Sequence, residues 1–174
     1  MLYMNNKKIF LISDFHFYHK KIIEYANRPF STVEEMNETM IENWNKVIKK
    51  NYKVIIAGDF ALCGKEQMKQ ILNRLNGYKI LILGNHDRSY ASMMDIGFNE
   101  VVKYSIVLND KYIVSHKPIF NNSIVFHINV CVEQINYTPI ELTIIGKMYQ
   151  NTSVQRCGFI NIHGHIHDKV IAWY

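Results

Sequence analysis

Five short apolar runs in this chain each lead into polar residues of types that can bind metal ions. Residues 10–13 lead to Asp14-x-His16, and residues 54–57 lead to Gly58-Asp59. Residues 80–83 lead to Gly84-Asn85-His86-Asp87, and residues 112–115 lead to His116. Residues 159–162 lead to His163, Gly164, His165, Ile166 and His167. Carboxylate and amide oxygen mixed with imidazole nitrogen suits Mn, Fe, Zn, Co or Ni better than Ca or Mg alone. A pair of divalent ions a few ångströms apart needs about four protein ligands each, with one carboxylate bridging. Asp14 and His16, two positions apart, can both reach one ion as the chain leaves its strand. His165 and His167 share that spacing and could serve two ions from one loop.

Taken singly, each block has a commoner structural use. An Asp after a strand is more often a turn residue or a helix cap. Gly58-Asp59 is a common turn, Asn85-His86-Asp87 could be a surface loop, and His163, His165 and His167 could be one exposed strand face. The conjunction changes the weighing. Seven of the eight histidines lie in or beside these segments and only His127 stands apart, which scatter would not produce.

The elements that must position these residues follow from patterning. Residues 8–13, 52–57 and 78–83 read as buried strands, being apolar runs of strand length. Residues 19–26 fit a short helix, which Pro29 interrupts. The clearest helix spans 31–50. Ser31 with Glu34 and Thr32 with Glu35 each fit a capping box. Val33, Met36, Met40, Trp44, Val47 and Ile48 share one face, and Lys49-Lys50 suits the negative end of the helix dipole. A second helix spans 65–76, with Met68, Ile71, Leu72 and Leu75 inward and Gly77 as its stop. Beyond Asp87 the pattern turns to strands at 101–108 and 111–115 about an Asn109-Asp110 hairpin turn, then 124–132, 142–145 and 158–162. The front is thus β-α-β-α-β with parallel strands, and the back is mostly β. In open α/β sheets ligands bind at the carboxyl ends of strands, so five such ends can converge on one place.

The 174 residues allow one domain, expected to span 1–174, and are too few for two ordinary ones. A composition of 48% hydrophobic and 20% charged residues excludes disorder, collagen and coiled coil. No apolar run approaches the roughly 20 residues of a membrane span. The net charge of +5 suits an anionic substrate, but no basic stripe marks a dedicated nucleic-acid surface. Residues 1–8 show no secretory signal. Cys63, Cys131 and Cys157 form no paired spacing, so the expected compartment is the reducing cytoplasm. Cys63, close behind Asp59, is tempting as a ligand but reads as a buried cysteine. Oligomeric state leaves no mark in the sequence.

The ordered set D-x-H, G-D, G-N-H-D, H and G-H-x-H resembles the calcineurin-like metallophosphoesterase superfamily. The segment 12–23, the run Asn27-Arg28-Pro29-Phe30 and the helix over 32–44 are similar to a small bacterial and phage subgroup of it. The resemblance implies a four-layer α/β/β/α sandwich of two mixed β-sheets flanked by helices. It implies one metal held by Asp14, His16, Asp59 and His167, and a second held by Asp59, Asn85, His116 and His165, with Asp59 bridging. Mn is the first expectation, with Fe, Zn, Ni or Co as alternatives. His86 would be the general acid, with Asp87 orienting it and raising its pKa. His19, Arg28 and His163 are the candidates for contacting substrate.

The activity so implied is hydrolysis of a phosphodiester by in-line attack of a metal-bridging hydroxide, His86 protonating the leaving oxygen. A phosphomonoesterase, a nuclease or a non-catalytic metal-binding scaffold remain open, with a small phosphate ester, nucleotides included, as the expected substrate. The order of segments departs from the subgroup. A stretch like residues 128–140 there follows the G-H-x-H loop, whereas here it precedes it, and seven residues follow His167. Residues 141–158 must then carry the chain back to the strand before Gly164.

Overall fold

The computed structural model describes residues 9–108, 112–119, 124–128, 142–144, 148–150 and 160–164. Cys131, Cys157, His165, His167 and the expected turn at Asn109-Asp110 lie outside the described residues.

The first sheet is built around β1 (Ile9–Ile12), all four residues of which are buried. Phe10 and Ile12 face one apolar cluster, while Ile9 and Leu11 face another. Burial on both faces is why the run is continuously apolar rather than alternating. Next to it lies β2 (Lys53–Ala57), then β3 (Tyr78–Ile82), each joined to its neighbour in parallel. β4 (Glu100–Val102) closes one edge and β8 (Leu142–Ile144) the other, so the order is β4-β3-β2-β1-β8, parallel throughout.

Helices cover the outer face of this sheet. α1 (Lys20–Tyr25) and α2 (Val33–Val47) follow β1, α3 (Lys65–Arg74) follows β2, and α4 (Tyr90–Ile96) follows β3. Ile22, Met36, Met40, Trp44, Met68, Leu72, Met93 and Ile96 from these helices share one core with Phe10, Ile12, Val54, Ile56 and Leu81. Of the two possible caps for α2, the chain uses Thr32, whose hydroxyl accepts from Glu35 N at 3.1 Å. The Glu35 carboxylate reaches back to Ser31 N at 2.8 Å.

The strand expected over 101–108 is two strands in two sheets. β4 ends at Val102, the chain turns through Lys103-Tyr104, and β5 (Ser105–Leu108) enters the second sheet. There β5 pairs antiparallel with β6 (Tyr112–Ser115), so the expected hairpin pairing forms, but Leu108 stands opposite Tyr112, whereas a two-residue turn at Asn109-Asp110 would set it opposite Lys111. β7 (Ile124–Ile128), β9 (Met148–Gln150) and β10 (Ile160–His163) complete the order β5-β6-β10-β7-β9. β10 is inserted between β6 and β7 and runs parallel to both. That insertion is how the late strand returns to the centre of its sheet.

The sheets pack face to face. Ile9, Leu11, Ile55, Ala57, Ile80 and Ile82 of the first meet Leu108, Val114 and Ile162 of the second. The fold class is α/β, two sheets with flanking helices. Among the described residues the first sheet is wholly parallel and only the second is mixed, and the helices lie on the outer face of the first.

Candidate metal centre

The site forms where β1 and β2 run out at their carboxyl ends. The two chains do not separate there but continue side by side. Asp14 N donates to Gly58 O at 3.1 Å, His16 N to Asp59 O at 2.9 Å, and Phe17 N to Phe60 O at 3.0 Å. A parallel bridge joins Phe17 to Ala61. Asp14, His16 and Asp59 all adopt left-handed backbone, with φ of 54°, 52° and 54°. Non-glycine residues rarely take this conformation, and it persists only where the surroundings enforce it.

Arg28 supplies part of that enforcement. Its guanidinium is buried beneath the first turn, Nη2 donating to Asp14 O at 2.6 Å and Nη1 to Phe15 O at 2.7 Å. This differs from the expectation that Arg28 faces substrate. The side chain is turned inward, and its fork matches two successive carbonyls.

Asp59 lies at the centre and is fully buried. Its Oδ1 accepts from His86 N at 2.9 Å. Its Oδ2 stands 3.5 Å from His16 Nε2 and 3.6 Å from His116 Nε2. Two donors held about 2.1 Å from one ion at a tetrahedral angle stand about 3.4 Å apart, so these separations suit shared metal ligation. Donor atoms of Asp14, Asp59 and His116, all buried, lie within 4.8 Å of one another. Asp14 is steadied by Ser13, whose hydroxyl donates to Asp14 Oδ2 at 2.5 Å.

His116 follows β6 and reaches across from the second sheet. Its Nδ1 lies 2.9 Å from Ala57 O. A donor on Nδ1 leaves the Nε2 lone pair toward the site, the usual orientation of a ligating imidazole. That Nε2 is 2.9 Å from Asn85 Oδ1, which brings this amide oxygen to the same point. The ring demands bare backbone beside it. A Cβ on Gly58, at φ 87°, would lie 2.5 Å from His116 Cγ, and one on Gly84 would lie 2.5 Å from Asp59 N. The glycines before Asp59 and Asn85 therefore set how closely the ligand turns approach.

The exposed His86 ring is 5.4 Å from His16 and 6.2 Å from His19. The half-buried His19 has Nδ1 3.2 Å from His16 Nδ1. Asp87 departs from its expected role of orienting the His86 ring. Its carboxylate accepts three backbone amides, Phe60 N on Oδ1 at 2.9 Å, and Asp59 N and Gly84 N on Oδ2 at 2.9 and 2.8 Å. Asp87 thus staples the turn after β2 to the turn after β3. Burial pushes its carboxyl above the usual range, with the amide bonds pulling the other way. His163, expected near substrate, is fully buried at the end of β10, its Nδ1 2.6 Å from Gly164 O. Gly164 abuts Ser13 and Asp14, so the described end of this segment lies against the site. Cys63 is half-buried rather than fully buried, and desolvation pushes its thiol up.

Asp14, His16, Asp59, Asn85, His86 and His116 are therefore brought together. The roles of Ser13 and Arg28 in holding them were not legible as motifs.

The calcineurin-like phosphoesterase family model matches residues 7–172. The chain belongs to that family. Its relatives include an uncharacterized protein of Methanocaldococcus jannaschii, 37% identical over 172 residues, covering 88% of this chain and 97% of that protein. The gene 66 protein of Mycobacterium phage L5 is 36% identical over 86 residues, covering 48% of this chain and 41% of that protein. A crystal structure of a protein of unknown function from Aquifex aeolicus is similar at a TM-score of 0.55 and 30% identity, covering 65% of this chain and 62% of that one. Membership makes the chain a phosphoesterase in general, with a phosphate ester as its substrate. Among the described residues no helix is long and apolar enough to cross a membrane.

Proposed function

We propose that this chain is a two-metal phosphoesterase that cleaves small phosphodiesters, acting in the cytoplasm as a single domain over residues 1–174. Asp14, His16, Asp59 and His167 would hold one ion, and Asp59, Asn85, His116 and His165 the other, with Mn favoured over Fe, Zn, Ni or Co. The observation that carries this reading is Asp59 Oδ2, buried and nearly equidistant from His16 Nε2 and His116 Nε2. A carboxylate so placed suits a bridge between two ions. Bound divalent ions supply Lewis-acid activation of water and neutralise charge on phosphoryl oxygens.

The remaining work falls to the protein's own groups. The exposed His86 imidazole would donate its proton to the leaving oxygen. Its backbone amide is tied to Asp59 Oδ1, which fixes the acid relative to the ligand set. Asp87 acts on His86 through the backbone, by locking the turns that carry Asp59 and Gly84. His19 stands where it can meet substrate, whereas Arg28 supports the turn that bears Asp14 and His16.

The test is hydrolysis of bis-p-nitrophenyl phosphate and p-nitrophenyl phosphate by metal-stripped protein, with and without Mn²⁺. Diester cleavage restored by Mn²⁺, and lost in His86→Ala and Asp59→Ala, is expected. Activity on the monoester alone would make the enzyme a phosphatase. A folded protein inactive with Mn, Fe, Zn, Ni and Co would refute the reading.

A further inference from the structure

A cavity of about 370 Å³ opens beside the ligand set, with Asn85 and His116 forming its inner wall. Its outer rim comes from two places that no motif marked. One is Lys103-Tyr104, where the chain steps from the first sheet to the second. The other is Lys117-Pro118, directly after His116. Both lysines are exposed, and among the described residues neither ammonium is in an ion pair. Lys103 Nζ instead lies 6.0 Å over the Tyr90 ring. Tyr104 is 81% exposed, the most exposed large hydrophobic side chain among the described residues. A single exposed ring is ordinary by itself, but one placed beside two ammonium groups on the rim of this cavity can stack on the planar part of an anionic ligand.

We infer that this cavity is a binding subsite for the nucleotide portion of the substrate, a second phosphate meeting Lys103 and Lys117 while a planar base stacks on Tyr104. The inference rests on the phosphoesterase reading for where the scissile phosphate sits, against Asn85 and His116. The volume fits one nucleoside-sized group, being near the lower end of ligand pockets. Two lysines and one ring suit a mononucleotide unit rather than a long strand, which would require an extended basic track. Binding energy gained there, away from the reacting phosphorus, would hold the substrate in register for attack.

The test is calorimetric titration of ADP, adenosine and pyrophosphate into the full chain, with and without Mn²⁺, in parallel with bis-p-nitrophenyl phosphate hydrolysis. ADP is expected to bind more tightly than either fragment. Lys103→Ala with Lys117→Ala should raise the Kd for ADP by about tenfold or more, since charge-assisted contacts to phosphate are lost. The same positions changed to Arg should restore it. Tyr104→Ala should weaken ADP and leave pyrophosphate unchanged. All three side chains are exposed, so the variants are expected to fold, which thermal melting checks. No measurable ADP binding, or a preference for ADP untouched by these substitutions, overturns the subsite. Lysine-dependent ADP binding by a protein that cleaves no ester overturns the phosphoesterase reading instead.

Discussion

Replacing Arg28 by Ala should cost more than its distance from any substrate suggests. The guanidinium makes two charge-assisted hydrogen bonds, at 2.6 and 2.7 Å, to the carbonyls of Asp14 and Phe15. Bonds of this kind contribute about 1.5–3 kcal/mol each, and their loss leaves two carbonyls without those donors. Removing the charge also removes its own burial cost, and water entering the vacated space offsets part of the rest. The net destabilisation should therefore fall toward and below the low end of the sum of about 3–6 kcal/mol, at about 2–4 kcal/mol. For a chain of this size that is a fall in Tm of roughly 4–16 °C.

The effect should also reach the metal. Asp14 and His16 hold left-handed backbone that costs about 1–2 kcal/mol per residue when nothing enforces it. With its brace gone the turn relaxes and the two ligands move apart. Urea unfolding and Mn²⁺ titration of Arg28→Ala and Arg28→Lys provide the assay. Ala should lose both stability and Mn²⁺ affinity. Lys, a point charge that cannot match the fork, should fall between Ala and the wild type. An Arg28→Ala protein within about 0.5 kcal/mol of wild type and unchanged in Mn²⁺ affinity would refute this reasoning, because that is the scale of an ordinary surface change.

Other perturbations have distinct signatures. Gly58→Ala would drive a Cβ into the His116 ring at a φ of 87°, so a loss of about 1–3 kcal/mol in urea unfolding is expected, together with weakened Mn²⁺ binding. Asp87→Asn keeps an acceptor for some of the three amides but not all, and hydrogen exchange should accelerate at Asp59, Phe60 and Gly84. Glu38 is held below the usual carboxylate range by its bond to Arg74, so its contribution is present at neutral pH and lost as pH falls through the lowered value. Because the pair is exposed, the difference between wild type and Arg74→Ala should be at most about 1 kcal/mol at pH 7, and should shrink in acid and in salt.

What the sequence made legible was whatever shows in side-chain type at fixed spacing. The runs that became β1, β2 and β3 are apolar because both faces of that sheet are covered, and their polar exits mark Asp14, His16, Asp59 and Asn85, which the fold brings together. α2 carries its cap and stripe in plain view. α4 was missed because seven residues give barely two turns of periodicity, although Ser89 and the left-handed Gly97 bound it. The break at Lys103-Tyr104 was missed because Val101, Val102, Ile106 and Val107 read as one run, and a change of sheet leaves no trace in local pattern. β9 is three residues long, too short to stand out. The hydrogen bonds of Arg28 and Asp87 are not legible in the sequence, because they run to main-chain carbonyls and amides, which every residue has. No pattern of side chains could point to them.

The paired run beyond β1 and β2 has a kinetic consequence. The ligand turns are hydrogen-bonded to each other from Asp14 through Leu62 as an extension of the sheet. Their amides should open only with the neighbouring strands, in a cooperative event much slower than the flicker of an ordinary loop. An ion seated there would then depart at a rate set by fraying of the central strands as well as by its bonds to the ligands. The sheet's own persistence would thus become the residence time of its cofactor, and the protein could remain loaded through long intervals when free metal is scarce.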